Sequence, residues 1–412
     1  MSMIILQKTV NMKFRTFMAF MAFITLFAGC DDESKEQDLP GDLSTLISVN
    51  FGLYLVDGAS GYLVVTDTLN AVLGKVPITN FATLDLHPEK NFAGETVNAY
   101  FVLQTPDFFH TSSFLHIKRG STYDFSGVPV FGMQNPVRLR PTNVPEFDYL
   151  TMGTNAITRT YTNSNLSDTS NWGTHLNYIE GGSIYAQVVS DDEGKYGFFP
   201  ITGDQSSYEF SLGDLNQVSL RTEISVPDHI HGYYFIIGNK AEEGDAQSNY
   251  WLFERNFNGN SFPIFYPDIT FDKYISSLTL TLNERNETIG YNRSGELVTE
   301  YAPITFNASV TGRLPNNFQY SPSGDFDFYN AEFVHENGVE FVHVYAPRKV
   351  RKFVIPDFSS LLSVPARDFN KFKLQFLGLS DVLDHTEDSP YFKIYSSYPP
   401  NIPNLNRRSY PF

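Results

Sequence analysis

The chain has 412 residues, with 46 Asp and Glu against 29 Lys and Arg, a formal charge of -17, and one cysteine. That charge leaves no basic field for phosphates, which excludes sequence-independent binding to nucleic acid. One cysteine excludes an intrachain disulfide framework and a cysteine-based zinc site, and 42% hydrophobic residues exclude a disordered chain.

The first 29 residues hold Lys8, Lys13 and Arg15 and no acidic residue. An apolar run over 17–27 follows, then Ala28-Gly29-Cys30. A basic start, a short apolar core and small residues before a break are the parts of a secretory signal peptide. The run is shorter than the ~20 residues that a spanning helix needs. Leu26-Phe27-Ala28-Gly29-Cys30 resembles the lipobox of bacterial lipoproteins, whose cysteine is acylated and becomes the first mature residue. Phe27 stands where that pattern has an aliphatic residue. Next comes Asp31-Asp32-Glu33-Ser34-Lys35-Glu36-Gln37-Asp38. It is similar to the acidic stretch that accompanies export to the outer face of the outer membrane in Bacteroidota lipoproteins. The resemblance covers about the first 38 residues and implies lipid on Cys30, with the chain displayed at the cell surface. Each buried methylene of an acyl chain contributes about 0.8 kcal/mol, so several chains hold a domain on a membrane without a spanning helix.

After the signal (1–29) and an acidic tether (30–44), apolar runs are short, rich in Val, Ile, Phe, Tyr and Thr, and cut by Gly, Pro, Asn and Asp. That is a strand signature. Residues 49–56 lead through Asp57-Gly58 and Ser60-Gly61 into 62–66 as an expected hairpin, and strands follow at 97–103 and 114–118. The Pro-containing stretch near 135–145 reads as a linker. Strands are expected again at 183–189, 195–199, 208–212, 218–226 and 232–238, with a turn at Asp191-Asp192-Glu193-Gly194. Beyond 265 they fall at 277–283, 304–310, 331–335 and 339–345, and Asp357 to Leu362 reads as one short helix. Asn337-Gly338 predicts a type I′ turn that places Glu332 opposite His343. The fold class is therefore all-β, with two or three β-sandwich domains of immunoglobulin-like or transthyretin-like kind. The domain spans read as 45–135, 145–265 and 266–412.

Chemistry is sparse. His229-Ile230-His231 puts two imidazoles some 6–7 Å apart along an extended segment, but nothing local supplies a third metal ligand. Asp325-Phe326-Asp327-Phe328-Tyr329 alternates acids and aromatics as a strand with one polar face does, and Asp191–Gly194 fits a hairpin loop. Either could supply oxygens to a structural calcium; otherwise no cofactor is expected. No Gly-x-Ser-x-Gly elbow, His-Glu-x-x-His helix or phosphate loop occurs, which argues against an enzyme. Carboxylate pairs of glycoside hydrolases leave no local spacing, so a surface hydrolase stands as a minor alternative. Trp172, after a run of Thr, Ser and Asn, is expected in a loop as a stacking platform for a sugar ring or a partner, whereas Trp251 lies among apolar residues and reads as core. Asp67-Thr68-Leu69 resembles the acceptor tripeptide of Bacteroidota O-glycosylation.

These features predict a lipid-anchored surface protein that captures a glycan or protein ligand, beside an outer-membrane transporter. The alternative is a structural or assembly subunit of an outer-membrane protein complex, since interface cores are depleted in charge.

Overall fold

The structure, a computed structural model, describes residues 43–51, 55, 58–105, 107–125, 137–154, 158–162, 174–176, 183–201, 207–239, 249–383 and 404–412. The described chain is almost entirely β. In order, the first strands are Ile47–Phe51 (β1), Ser60–Thr66 (β2), Val72–Pro77 (β3), Thr83–Leu86 (β4), Thr96–Gln104 (β5), Phe109–Lys118 (β6) and Ser121–Phe125 (β7). Next come Val137–Thr142 (β8), Tyr149–Gly153 (β9), Thr158–Thr162 (β10), Thr174–Leu176 (β11), Ser183–Ser190 (β12) and Glu193–Pro200 (β13). Ser207–Ser211 (β14), Gln217–Ser225 (β15), His231–Asn239 (β16), Asn249–Phe257 (β17), Ser261–Pro267 (β18), Lys273–Thr281 (β19) and Thr288–Gly295 (β20) follow. The last are Asn307–Leu314 (β21), Asn317–Ser323 (β22), Phe328–His335 (β23), Glu340–Pro347 (β24), Lys352–Phe353 (β25), Phe372–Val382 (β26) and Leu405–Pro411 (β27). One short helix, Ser359–Leu362 (α1), matches the helix expected there.

Contacts group the chain into two units. The first holds β1–β7, β21–β26 and Arg408–Phe412, and the second holds β8–β20 and the start of β27 up to Arg407. Residues 266–304 thus join the second unit, and the segment from Thr305 rejoins the first.

In the first unit, β4-β1-β7 faces a sheet that runs β26-β23-β24-β6-β5-β2-β3, and β21-β22-β25 forms a third sheet. Its core holds Leu46, Ile47, Val49 and Phe51 against Leu63, Val65, Val97, Ala99, Phe101 and Phe114. β5 is buried on both faces because its run Val97-Asn98-Ala99-Tyr100-Phe101-Val102-Leu103 has no charged residue to keep wet. A second aromatic cluster closes this unit. Phe318 stacks on Phe353 at 4.6 Å and on Tyr329 at 5.9 Å, and meets Phe333 edge-on at 5.8 Å.

The expected hairpin across 49–66 does not form: β1 pairs with β4 and, in parallel, with β7, while β2 pairs with β3 and β5. A Gly-rich connection allows a hairpin without requiring one, and the apolar faces of β1 find longer-range partners. The turn chemistry also differs. Glu332 stands opposite His343 as expected. Yet only Gly338 has left-handed backbone, and its N–H closes on the His335 carbonyl at 2.8 Å, the geometry of a bulge turn rather than type I′. Both left-handed residues that a type I′ turn demands are instead Asp191 and Asp192, between β12 and β13. The strand expected over Asp325 to Tyr329 begins only at Phe328. Asp325 pairs with Arg348 at 2.5 Å, and Asp327, just before the strand, accepts the Val382 N–H through its carboxylate at 2.7 Å while its backbone bonds Ser380 and Arg348.

Gly324 shows where a glycine is required: its φ is +76°, and an added Cβ would lie 2.7 Å from the Phe306 backbone. Gly324→Ala is expected to cost about 1–3 kcal/mol, read as a lowered denaturation midpoint with an unchanged slope.

In the second unit, the sheets are β10-β9-β12-β13-β15-β18, β17-β16-β19-β20 and β11-β8-β14. One core gathers Tyr234, Ile236, Leu252, Phe253, Leu278 and Leu280 with Ile224 and Ile264; the other gathers Leu139, Leu150, Met152, Ile184 and Phe210.

Candidate functional site

β16 reads Tyr233-Tyr234-Phe235-Ile236-Ile237, apolar on both faces. Alternation puts Tyr234 and Ile236 into the core, where both are fully buried. Tyr233 and Phe235 therefore point out of the other face of the sheet β17-β16-β19-β20 and are half-buried. On β17, Leu252 and Phe253 are both buried in the core, and the ladder shifts register there, between Ile236 and Ile237. Trp251 lies across from Ile237 with its ring 5.2 Å from that of Phe235 and tilted by 31°, while Tyr233 lies 6.2 Å from Phe235. Three aromatic rings thus form a row that takes no part in the core cluster.

The ladder decides what flanks that row. Phe235 pairs with Ser277, and Ser277 with Asn292; Tyr233 pairs with Thr279, and Thr279 with Gly290. Directly paired residues share a face, so small and polar groups lie beside the rings and leave one side of the row uncrowded. On the opposite side, Glu254 accepts the Tyr233 hydroxyl proton at 3.1 Å, and exposed Asn256 pairs with Tyr233. Arg407 borders the bed beside Gly290, where no side chain intervenes. At the end toward Ile237 and Ile275 the face is fully buried. Lys273 lies beyond Ile275, with its ammonium pKa lowered by burial. Four strands at about 4.8 Å spacing make the bed roughly 14 Å wide. The surface presents apolar ring faces, hydroxyl and amide groups, and one carboxylate. It can stack flat, hydroxyl-rich molecules and bond their edges, but it brings together no nucleophile and base.

Except for Trp251, the residues singled out from sequence fall elsewhere. Cys30, the acidic stretch after it and Trp172 lie outside the described residues. Trp251, expected in the core, is half-buried in the aromatic row. Leu252 is the extra residue of the bulge, so Trp251 and Glu254, on either side of the buried pair, both turn out of the core. His229 bonds the Pro227 carbonyl through Nδ1 at 2.9 Å, and His231 is exposed at the start of β16. Among the described residues no three His, Cys, Asp or Glu gather to hold a metal ion, at Asp191–Gly194 or Asp325–Tyr329 or elsewhere. Thr68 is exposed at the tip of the β2–β3 hairpin, where the Asp67 carboxylate accepts the N–H groups of Leu69 and Ala71 at 2.8 Å. A separate recess of about 240 Å³ between Lys195 and Val218 mixes acidic and basic side chains over Phe265.

One signal could have found the row: the strand paired with β16 reads Ser277-Leu278-Thr279, polar at the positions opposite Phe235 and Tyr233. Compared with known protein families and with curated protein sequences, the chain matches none. No helix among the described residues is long and apolar enough to cross a membrane.

Proposed function

We propose that this chain is a lipid-anchored binding protein of the bacterial outer-membrane surface that captures a glycan on the outer face of β17-β16-β19-β20. The row Tyr233–Phe235–Trp251, beside small polar neighbours, carries the reading. Pyranose rings have apolar faces that stack on aromatics and hydroxyls that bond Ser, Thr, Asn and carboxylate groups. Glu254, bonded to Tyr233, borders one side of the strip and Arg407, beside Gly290, borders the other, so opposite charges balance around it, which favours a neutral sugar over a strongly charged one. The anchor rests on the lipobox-like Leu26–Cys30 sequence, and we propose with it an accessory role beside an outer-membrane transporter.

Cys30→Ser is expected to move the protein from the membrane pellet to the soluble fraction and to abolish labelling by a fatty-acid analogue. Retention of the label by the variant would overturn the anchor. Glycan capture is tested separately, by titrating the purified chain with neutral oligosaccharides and following Trp fluorescence.

A further inference from the structure

In the first unit, β6 and β24 pair in parallel, from Phe109 with Glu340 to Phe114 with Tyr345. Among the described residues this is the one strand ladder that joins residues 43–125 to residues 305–383. Parallel pairing is slightly weaker per residue than antiparallel pairing, so side chains along this seam matter to its hold.

On one face of the seam, Phe114 stacks on Tyr345 at 4.9 Å. Beside that stack, the His110 ring meets the His343 ring edge-on at 4.8 Å, with exposures of 1% and 3%. The Ser112 hydroxyl lies 3.4 Å from His110 Nε2, and Glu332 of β23 lies 3.8 Å from His343 Nε2. On the other face, Arg367 lies 3.8 Å from the centre of the Phe109 ring and donates to the Thr111 hydroxyl at 2.8 Å. Glu340 of β24 stands 3.9 Å from Arg367 Nε and 3.9 Å from His335 Nδ1, and Asp357 adds a further carboxylate near Arg367. β5 brings only Phe101 and Leu103 to the histidine face, opposite Ser112 and His110.

We propose that the β6–β24 seam is an acid-sensitive latch, in which protonation of His110 and His343 parts the two segments of the first unit. One histidine comes from each segment, and the rings touch, so two imidazoliums would repel across the ladder itself. Glu332 faces one of them and can balance a single charge; the charge of Arg367 opposes protonation of His110. Burial lowers the pKa of both rings, and Glu332 only partly offsets this at His343. The folded chain therefore binds fewer protons than the unfolded chain. The stability contributed by the neutral pair is fully present above an unfolded histidine value of about 6.5, and is lost as pH falls below it. The latch is independent of what the aromatic row binds.

Hydrogen exchange on the full chain tests it. Between about pH 7.5 and pH 5, after correction for intrinsic exchange, protection in β6 and β24 is expected to fall about tenfold more than in β16 and β19. The double variant His110→Gln, His343→Gln should lose that difference. Equal loss in all four strands, retained protection at the lower pH, or an unchanged response in the double variant would overturn the latch. If the double variant does not fold, NMR titration of the wild-type imidazoles decides. Rings that titrate at the free-histidine value with the seam still protected would contradict it.

Discussion

Phe318→Ala is expected to destabilise the first unit by about 3–5 kcal/mol, the range for truncating a buried aromatic. Phe318 is 1% exposed and touches four rings, Tyr320, Tyr329, Phe333 and Phe353, which hold β22 and β25 against β23. Tyr320 and Tyr329 resist moving into the cavity left behind, because their hydroxyls donate to the Arg348 and Val350 carbonyls. The hydroxyls lie 2.9 and 2.8 Å from their acceptors, so moving either ring into the cavity would break its bond. Phe318→Leu keeps much of the volume and should lose clearly less. Calorimetry or a denaturant series measures the difference, and a loss below about 1 kcal/mol for Phe318→Ala would show that the cluster does not hold the sheets together.

Trp251→Ala is expected to weaken glycan binding about 30-fold, equivalent to about 2 kcal/mol, with little change in fold. The indole is half-buried, lies outside the core cluster and meets the Phe235 ring at a tilt, so its truncation removes a ligand face more than it opens a cavity. Phe235→Ala, at the centre of the row, should weaken binding at least as much. Leu252→Ala provides the contrast: the adjacent residue faces the core and should lower stability without a selective effect on affinity. Isothermal titration with circular dichroism on the same samples separates the two kinds of loss.

Much of the strand content was legible because strands such as β5, β12 and β16 are dense in β-branched and aromatic residues between turn-forming ones. Pairing was less so. The partners of β1 lie thirty to seventy residues away, and nothing local in Val49-Asn50-Phe51 specifies them. Turn type was misjudged because Asn-Gly is the commoner type I′ pair, whereas here Asp191-Asp192 takes it. The aromatic row stayed hidden for a simpler reason. Tyr233-Tyr234-Phe235-Ile236-Ile237 has no polar residue to mark an outer face, so the face is set only by Ser277 and Thr279 across the ladder. Trp251 escaped because its orientation depends on a register shift that no periodicity announces.

Carbohydrate binding on the outer face of β17-β16-β19-β20 is tested most directly by a glycan array probed with the detergent-purified full chain and with the variant Tyr233→Ala, Phe235→Ala, Trp251→Ala, after both are shown to be folded. The wild type is expected to bind a defined set of neutral glycans saturably, and the variant to lose that binding. Binding that survives in the variant, or a wild type that binds no glycan on the array, would contradict it.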